Sequence, residues 1–439
     1  KFMSYCRKRR PGDYLDELLE HQQVRRKEKG NTVFLQAPDI KNGMGGLRDY
    51  QGVLWMAKVK FEDDAIKSLI KRGYLNEHEA KSFKEAYSFL LRVRNELHFR
   101  SKRPVDVLHL EKQPEVALGL GYLDEDIFPR VEKFMGDFYA RVTTIHQLSN
   151  LLEQRLVRSN SGNTASLSFR SVLQAYRSSP SEKVDGFDLH DGELHSENKN
   201  VFDDDPERLL RLFRHSQRLS AKLSPSLRSL VRNRLSLIDA ELINSASANV
   251  TFRSILQEVG NVAPSLFEMH DLGVLGRFVP EFGRLTCKVQ HDLYHRFTAD
   301  VHVLRCIEIL DQVFQGTRPG SQPYLDALRK NELPGLLYLI LFIHDMGKDK
   351  GPKGHCERGV EIGKTLMNRL GIPQEMHDRV LFVVRNHLEM VRFANKFDLD
   401  DPEVIDSFAS FAEGEQRLRF LYVHTYCDAN GTAPDLWNS

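Results

Sequence analysis

The sequence has little that would tie it to an oxidising compartment, a bilayer or a polyanion. It holds 5 cysteines, an odd number, spread widely at Cys6, Cys287, Cys306, Cys356 and Cys427 with no C-x-x-C pair. That pattern argues against a disulfide framework and predicts free thiols in a reducing, cytoplasmic setting. The longest apolar run, Leu336 to Ile343 (LLYLILFI), is far short of the ~18 residues needed to span a bilayer. Charge of one sign is missing too. The 62 Lys and Arg stand against 61 Asp and Glu, so net charge names no nucleic-acid or membrane partner. There is no internal repeat and no signal-peptide pattern, and the opening KFMSYCRKRR lacks an initiator Met, as expected of a fragment.

What is present is an ordinary globular balance, 41% hydrophobic and 28% charged over 439 residues, enough for two or three domains. Residues 1–50 carry a basic cluster (Arg7 to Arg10, then Arg25, Arg26, Lys27 and Lys29), a β-like run Thr32-Val-Phe-Leu35, and the glycine-rich Asn42-Gly-Met-Gly-Gly46. Residues 51–155 read as helical, as in Ala80–His98, where Phe83, Tyr87, Leu90, Leu91 and Arg94 recur at helix spacing, and residues 157–200 are rich in Ser, Asn and Gly. One hairpin is expected there, near 186–196, turning at Asp191-Gly192. Asp205-Pro206 and Ser224-Pro225 each pair a capping side chain with proline at the first helical position. The acids Asp203 to Asp205 are therefore read as helix-start residues and not as a metal site. Residues 251–439 are helical in pattern, with stops at Gly260, Gly347, Gly371 and Gly431. The fold class is mainly α, with a small β element at the start and one mid-chain hairpin.

The chemistry concentrates in that last zone. A helix apolar on every side is a buried one, and Leu336–Ile343 runs straight into His344-Asp345. An imidazole and a carboxylate buried together need a compensating partner, and a divalent metal takes both as ligands. His302 shares a helical stripe with Cys306, Ile309 and Val313; His387 shares one with Met376, Val380 and Val383. Asp428 lines up with Leu418, Leu421 and Thr425, and His355 stands in a glycine-bearing loop ahead of Val360, Gly363, Met367 and Leu370. A lone inward histidine is more often a satisfied core residue than a ligand. The ordered set His302, His344-Asp345, His355, His387, Asp428 weighs against that simpler reading.

That order resembles the HD-domain metal-dependent phosphohydrolases, and His344-Asp-Met-Gly-Lys348 is similar to their H-D-I-G-K variant. A more particular likeness follows. Pro38-Asp-Ile-Lys41 with Gly45-Gly-Leu-Arg-Asp49 resembles the close of the nucleotidyltransferase domain in the bifunctional uridylyltransferase/uridylyl-removing enzymes of bacterial nitrogen control. His291-Asp-Leu-Tyr-His-Arg-Phe-Thr-Ala-Asp-Val-His302 resembles the opening of that family's HD domain, and Phe202-Asp-Asp-Asp-Pro206 and Leu436-Trp-Asn-Ser439 are familiar there. The family's Gly-Ser and Asp-x-Asp transferase elements and its paired regulatory domains have no counterpart in the sequence. Many relatives also carry Glu where Ala37 stands.

The resemblance implies three parts: residues 1–50 closing a nucleotidyltransferase domain, 51–250 a helical linker domain, and 251–439 an HD hydrolase domain. It implies two divalent ions, Mn²⁺ or Mg²⁺, whereas the imidazole-rich set suits Mn²⁺, Fe²⁺ or Zn²⁺. Asp345 would bridge them, with His302, His344 and Asp428 on one ion and His355 and His387 on the other. Cys356 and Cys427 are read as small neighbours and not as ligands. Lys348 would clamp phosphate, unless it is a solvated surface lysine. Asp39, Lys41, Gly45, Gly46, Arg48 and Asp49 would be remnants of a nucleotide site. The implied substrate is a uridylylated tyrosine on a PII signalling protein, cleaved to UMP and free PII, with UTP serving the transferase. Two other readings stand beside it: hydrolysis of a free nucleotide, and a non-catalytic nucleotide sensor. A nucleic-acid role is weaker, since the basic cluster is as easily a solvated face.

Overall fold

The computed structural model describes residues 11–61, 64–158, 182–286, 288 and 297–432. The Arg7–Arg10 cluster, the His291–Arg296 part of the HD opening, Cys6, Cys287 and Leu436–Ser439 lie outside them. The described residues are mainly α-helical, with one small sheet. They group in two compact units, one up to Arg158 and one from Glu182 to Thr432.

The first unit is built on helices α1 (Pro11–Glu28), α2 (Leu47–Phe61), α3 (Glu77–Ser101) and α4 (Ile127–Arg158). Helix α3 starts at a reciprocal cap: Asn76 Oδ1 accepts from Glu79 N and Glu79 Oε2 from Asn76 N, both at 2.8 Å. Its Phe83, Leu90, Val93 and Leu97 are buried where it packs with α2 and α4, and Phe83 lies against Tyr50 of α2 (ring centroids 4.4 Å). Thr32 to Leu35 form no strand, and pairing nearby is limited to isolated bridges such as Asp39 with Val107. Local bonds compete with a ladder there. Phe34 N–H donates to Thr32 Oγ1 (3.2 Å), and Leu35 O accepts from Tyr139 Oη (2.9 Å).

The second unit opens with a sheet of order β1-β2-β3-β4: β1 (Glu182–Val184), β2 (Phe187–His190), β3 (Glu193–Ser196) and β4 (Lys222–Leu223). Two Asp-Gly turns make its antiparallel hairpins, since both central residues take positive φ: Asp185 (52°) and Gly186 (84°), Asp191 (50°) and Gly192 (73°). The second is the hairpin the sequence predicts. The helix expected to start at Pro206 instead begins at Arg208 as α5 (Arg208–Leu219), because Pro206 and Glu207 form a turn under the Asp205 cap. Asp203 is drawn off to Arg234 (2.9 Å). Ser224 caps Pro225–Asn233 as expected, accepting from Leu227 N at 3.3 Å.

Among the further helices of this unit, five carry the candidate site: α6 (Ala299–Gln315), α7 (Leu336–Ile343), α8 (His355–Arg369), α9 (Gln374–Asn386) and α10 (Glu415–Thr432). One hydrophobic core runs from Phe187 to Cys427 with no break at 250. Helix α7 lies inside it, and a buried polar link fixes its start. Tyr338 Oη donates to Asp311 Oδ1 (2.6 Å) while accepting from Gly260 N (2.8 Å), and Asp311 Oδ2 caps Val262 and Ala263 at 3.0 and 2.7 Å. Burial raises the Asp311 carboxyl against those bonds.

Gly431 lies within α10, whose described residues end at Thr432, where that helix meets α6, and a Cβ there would sit 2.5 Å from Cys306 Sγ. Glycine is needed there for the close approach. The same logic applies at Gly347, where a Cβ would lie 2.0 Å from His355 O and 2.7 Å from Gly359 N. Gly347→Ala should therefore push the first turn of α8 away, costing about 1–3 kcal/mol. Thermal unfolding measures the cost. A variant with unchanged melting would contradict this packing.

Candidate metal centre

Each candidate ligand arrives from a different element. His302 lies in the first turns of α6, and His344 and Asp345 follow the last residue of α7 into a 3₁₀ turn, Met346–Lys350. His355 is the first residue of α8, His387 follows the end of α9, and Asp428 is near the end of α10. All four histidines and Asp345 are buried, at 0% for His302 and His344 and 7% at most for His355. The structure brings all six together.

Asp345 is the centre of the arrangement. Its Oδ2 faces His302 Nε2 (3.5 Å) and His344 Nε2 (3.4 Å), while its Oδ1 faces His355 Nε2 and His387 Nε2, both at 3.8 Å. Asp428 Oδ1 closes the first group, 2.9 Å from His302 Nε2 and 3.6 Å from His344 Nε2. In the second group His355 Nε2 and His387 Nε2 are 3.3 Å apart. Lys348 Nζ stands 2.7 Å from Asp345 Oδ2 with its side chain only 13% exposed, so it is no solvated surface lysine.

The imidazoles are set as metal ligands are. Nδ1 of His344, His355 and His387 lies 2.7, 2.7 and 2.8 Å from the carbonyls of Leu341, Pro352 and Val384. A carbonyl only accepts, so each Nδ1 carries the proton and donates. Each Nε2 of a neutral ring then presents a lone pair to its neighbours, and two such lone pairs face one another at His355 and His387. Backbone partners of this kind orient ligating histidines. Asp345 Oδ1 and His344 Nε2 make no hydrogen bond among the described residues. This donor set fits divalent metal.

Electrostatics fit as well. Burial works against the Asp345 carboxylate, yet His344 and Lys348 outweigh it and hold its pKa well below the usual range. Asp428 is held down likewise, burial being overcome by His302 and His344. Burial lowers His302, His355 and His387, the last to about 4. His344 is the exception: burial pulls it down, but Asp345 and Asp428 hold it up at about 10. In the metal-free chain, therefore, His344 contributes stability that is fully present below about 6.5 and lost as pH rises through about 10. A metal must displace that proton. Loading at pH 8 is expected to release at least one proton per chain, read by calorimetry in buffers of different ionisation enthalpy. Uptake without release would remove His344 from the ligand set.

One buried residue escaped the sequence reading. His424 lies one turn before Asp428 on α10, wholly buried, with its ring edge-to-face on His344 (centroids 4.9 Å) and tilted on His387 (5.6 Å). Burial, with His344 beside it, holds it neutral. The four-residue offset from Asp428 was the available signal. Thiols also enter the cluster: Cys356 Sγ lies 3.6 Å from His355 Nε2, and Cys306 Sγ 3.7 and 3.6 Å from the two nitrogens of His302.

The six residues expected around a nucleotide lie in the first unit. Asp39 Oδ1 accepts from Lys41 N (3.1 Å) and Asn42 N (2.7 Å), and Asp39 Oδ2 pairs with Lys29 at 3.2 Å. Gly45, at φ +71°, rests against α4, where a Cβ would lie 2.1 Å from Val142 O; Gly46 is buried beside it. Asp49 is wholly buried and committed: it binds Arg25, Arg26 Nε (3.1 Å) and Gly45 N (2.8 Å). Only Lys41 and Arg48 of the six extend well into solvent.

Comparison with known proteins covers most of the chain. Residues 13–153 match the family model described as GlnD PII-uridylyltransferase, and residues 187–278 match that of the uridylyltransferase GlnD third domain. The chain is similar to bifunctional uridylyltransferase/uridylyl-removing enzymes of Cereibacter sphaeroides (31% identical over 97% of this chain and 45% of the relative) and Caulobacter vibrioides (31%, 96% and 45%). A relative of the same description from a Bradyrhizobium species is 30% identical over 97% of the chain and 46% of its own length. The chain thus spans about half the length of the curated relatives it matches.

Proposed function

The chain belongs to the bifunctional uridylyltransferase/uridylyl-removing enzyme family, and from that premise we propose that its His-Asp cluster is the uridylyl-removing site. The reaction is hydrolysis of the uridylyl-tyrosine phosphodiester of a PII protein. Water oxygen bonds to phosphorus, the bond from phosphorus to the phenolic oxygen breaks, and UMP and free tyrosine leave. The observation that carries this reading is Asp345, whose two oxygens each look onto a separate pair of imidazoles.

The residues divide the work. His302, His344 and Asp428 would hold one ion, His355 and His387 the other, and Asp345 both. When bound, such ions supply activation of water and neutralisation of phosphoryl charge. The backbone carbonyls of Leu341, Pro352 and Val384 fix the tautomers, so no reorientation is needed during turnover. Lys348 is placed to hold a phosphoryl oxygen beside Asp345. In the first unit, Lys41 and Arg48 are the residues proposed for nucleotide contact. We also propose a cytoplasmic setting, where Cys306, Cys356 and Cys427, free in the structure, stay reduced. No helix among the described residues is long and apolar enough to cross a membrane.

The test is release of UMP from uridylylated PII by the whole chain, with chelator and with Mn²⁺ restored, against a panel of alarmones, cyclic dinucleotides and nucleoside triphosphates. UMP release that needs metal, with the panel untouched, is the expected result. Turnover confined to a free nucleotide would overturn the substrate assignment. Binding without any turnover would make the site a sensor.

A further inference from the structure

We propose that Cys356 is a ligand, its thiolate completing the ion site formed by His355 and His387. This half of the centre would then take Zn²⁺, Co²⁺ or Fe²⁺ ahead of Mg²⁺. The inference rests on the metal reading of the cluster and extends it to a residue that the pattern of histidines and aspartates leaves out.

Distances carry the argument. Two nitrogen ligands on one tetrahedral ion lie roughly 3.3 Å apart, and a nitrogen and a sulfur roughly 3.5 Å apart, given bonds of about 2.0 and 2.3 Å. His355 Nε2 and His387 Nε2 are 3.3 Å apart, and Cys356 Sγ is 3.6 Å from His355 Nε2 and 3.9 Å from His387 Nδ1. Ligand atoms from His355, Cys356 and His387 all fall within 4.8 Å of one another. An independent feature points at the same spot: Asp345 Oδ1, on a residue 1% exposed, makes no hydrogen bond among the described residues and faces both imidazoles at 3.8 Å. The donor set is therefore two imidazoles, a carboxylate and a thiol.

The other thiol, Cys306, likewise has its sulfur within 4.8 Å of ligand atoms of His302, His344 and Asp428, but its orientation differs. Cys306 Sγ is nearly equidistant from both nitrogens of His302, 3.7 and 3.6 Å, and so lies off the axis of the Nε2 lone pair. It is also packed against Gly431 of α10, where a Cβ would stand only 2.5 Å away. Cys306 is wedged between helices, whereas Cys356 is half-exposed at the head of α8. The two halves of the centre thus differ in softness. Oxygen and imidazole serve the ion at His302, His344 and Asp428, and sulfur enters at the second. Thiolate ligation selects the softer metals, and oxygen ligands alone suit Mg²⁺. On binding, the Cys356 thiol gives its proton to buffer and forms the sulfur–metal bond, with no change of oxidation state.

Cobalt reads the ligand directly. The whole chain, freed of metal and loaded with Co²⁺, should show a near-ultraviolet thiolate-to-cobalt charge-transfer band with one thiolate contributing. Cys356→Ser should lose the band and bind Zn²⁺ at least tenfold more weakly at one of two sites, while Cys306→Ser keeps both. Circular dichroism checks that each variant is folded, and blocking of Cys356 alkylation by Zn²⁺ gives a second reading that needs no variant. A Co²⁺-loaded chain without the band, a band that survives Cys356→Ser, or alkylation unaffected by Zn²⁺ overturns the proposal. UMP release by a Co²⁺-loaded chain lacking the band would leave the hydrolase reading standing and this one lost. The band without UMP release would do the reverse.

Discussion

Asp345→Ala is expected to empty both ion sites and to lower phosphodiester hydrolysis by at least about a thousandfold, since loss of both ions removes water activation and charge neutralisation together. The reason is geometric. Asp345 is 1% exposed, and its two oxygens face both imidazole pairs, at 3.4 and 3.5 Å on one side and 3.8 Å on the other. No nearby carboxylate replaces it, because Asp428 turns its Oδ1 to His302 and His344. The same substitution removes the first supporting charge of His344, so the pKa of that imidazole should drop from about 10. Elemental analysis gives metal stoichiometry, UMP release gives activity, and a proton titration by NMR gives the His344 shift. By contrast, His355→Ala should keep one ion through His302, His344 and Asp428. An Asp345→Ala protein that still binds two ions would refute the bridging role.

Asp49→Ala should cost the first unit about 1.5–3 kcal/mol, because it leaves Arg25 without its carboxylate partner and buried Arg26 with Glu153 alone. Arg26 is 5% exposed and lies between two carboxylates, 3.1 Å from Asp49 and 2.7 Å from Glu153. Burial opposes the Arg26 charge, and only Glu153 and Asp49 outweigh it; burial likewise raises Glu153 against the pull of Arg26. Gly45 N–H would lose its acceptor as well. Amide exchange across α2 and α4 is the measurement, with protection falling roughly 10- to 150-fold if the unit opens cooperatively. Asp49→Asn should lose less, since it keeps one oxygen for Gly45. Unchanged exchange in Asp49→Ala would mean that the arginines find another anion.

The sequence by itself determined the second unit's chemistry to a large extent. An apolar run such as Leu336–Ile343 has no stable place but a core, and the residues directly after it are carried inward with it. Helical spacing likewise put His302 and His387 on buried stripes and Asp428 on a partly buried one, and the Asp-Gly dipeptide at 191–192 allowed few turns other than the one observed. Periodicity says which face of an element is buried, however, and not what another element presents to it. Only the tertiary structure decided that Gly431 is a point of helix contact, since the reason lies in Cys306 on α6, far away in sequence. It alone turned Asp49 from a nucleotide residue into the anchor of two arginines, and brought His424 and Cys356 to the imidazoles. The physical cause is common to all four. A local pattern reports the free energy of burying one segment, whereas ligation, ion pairing and close backbone approach depend on atoms from segments the pattern cannot place.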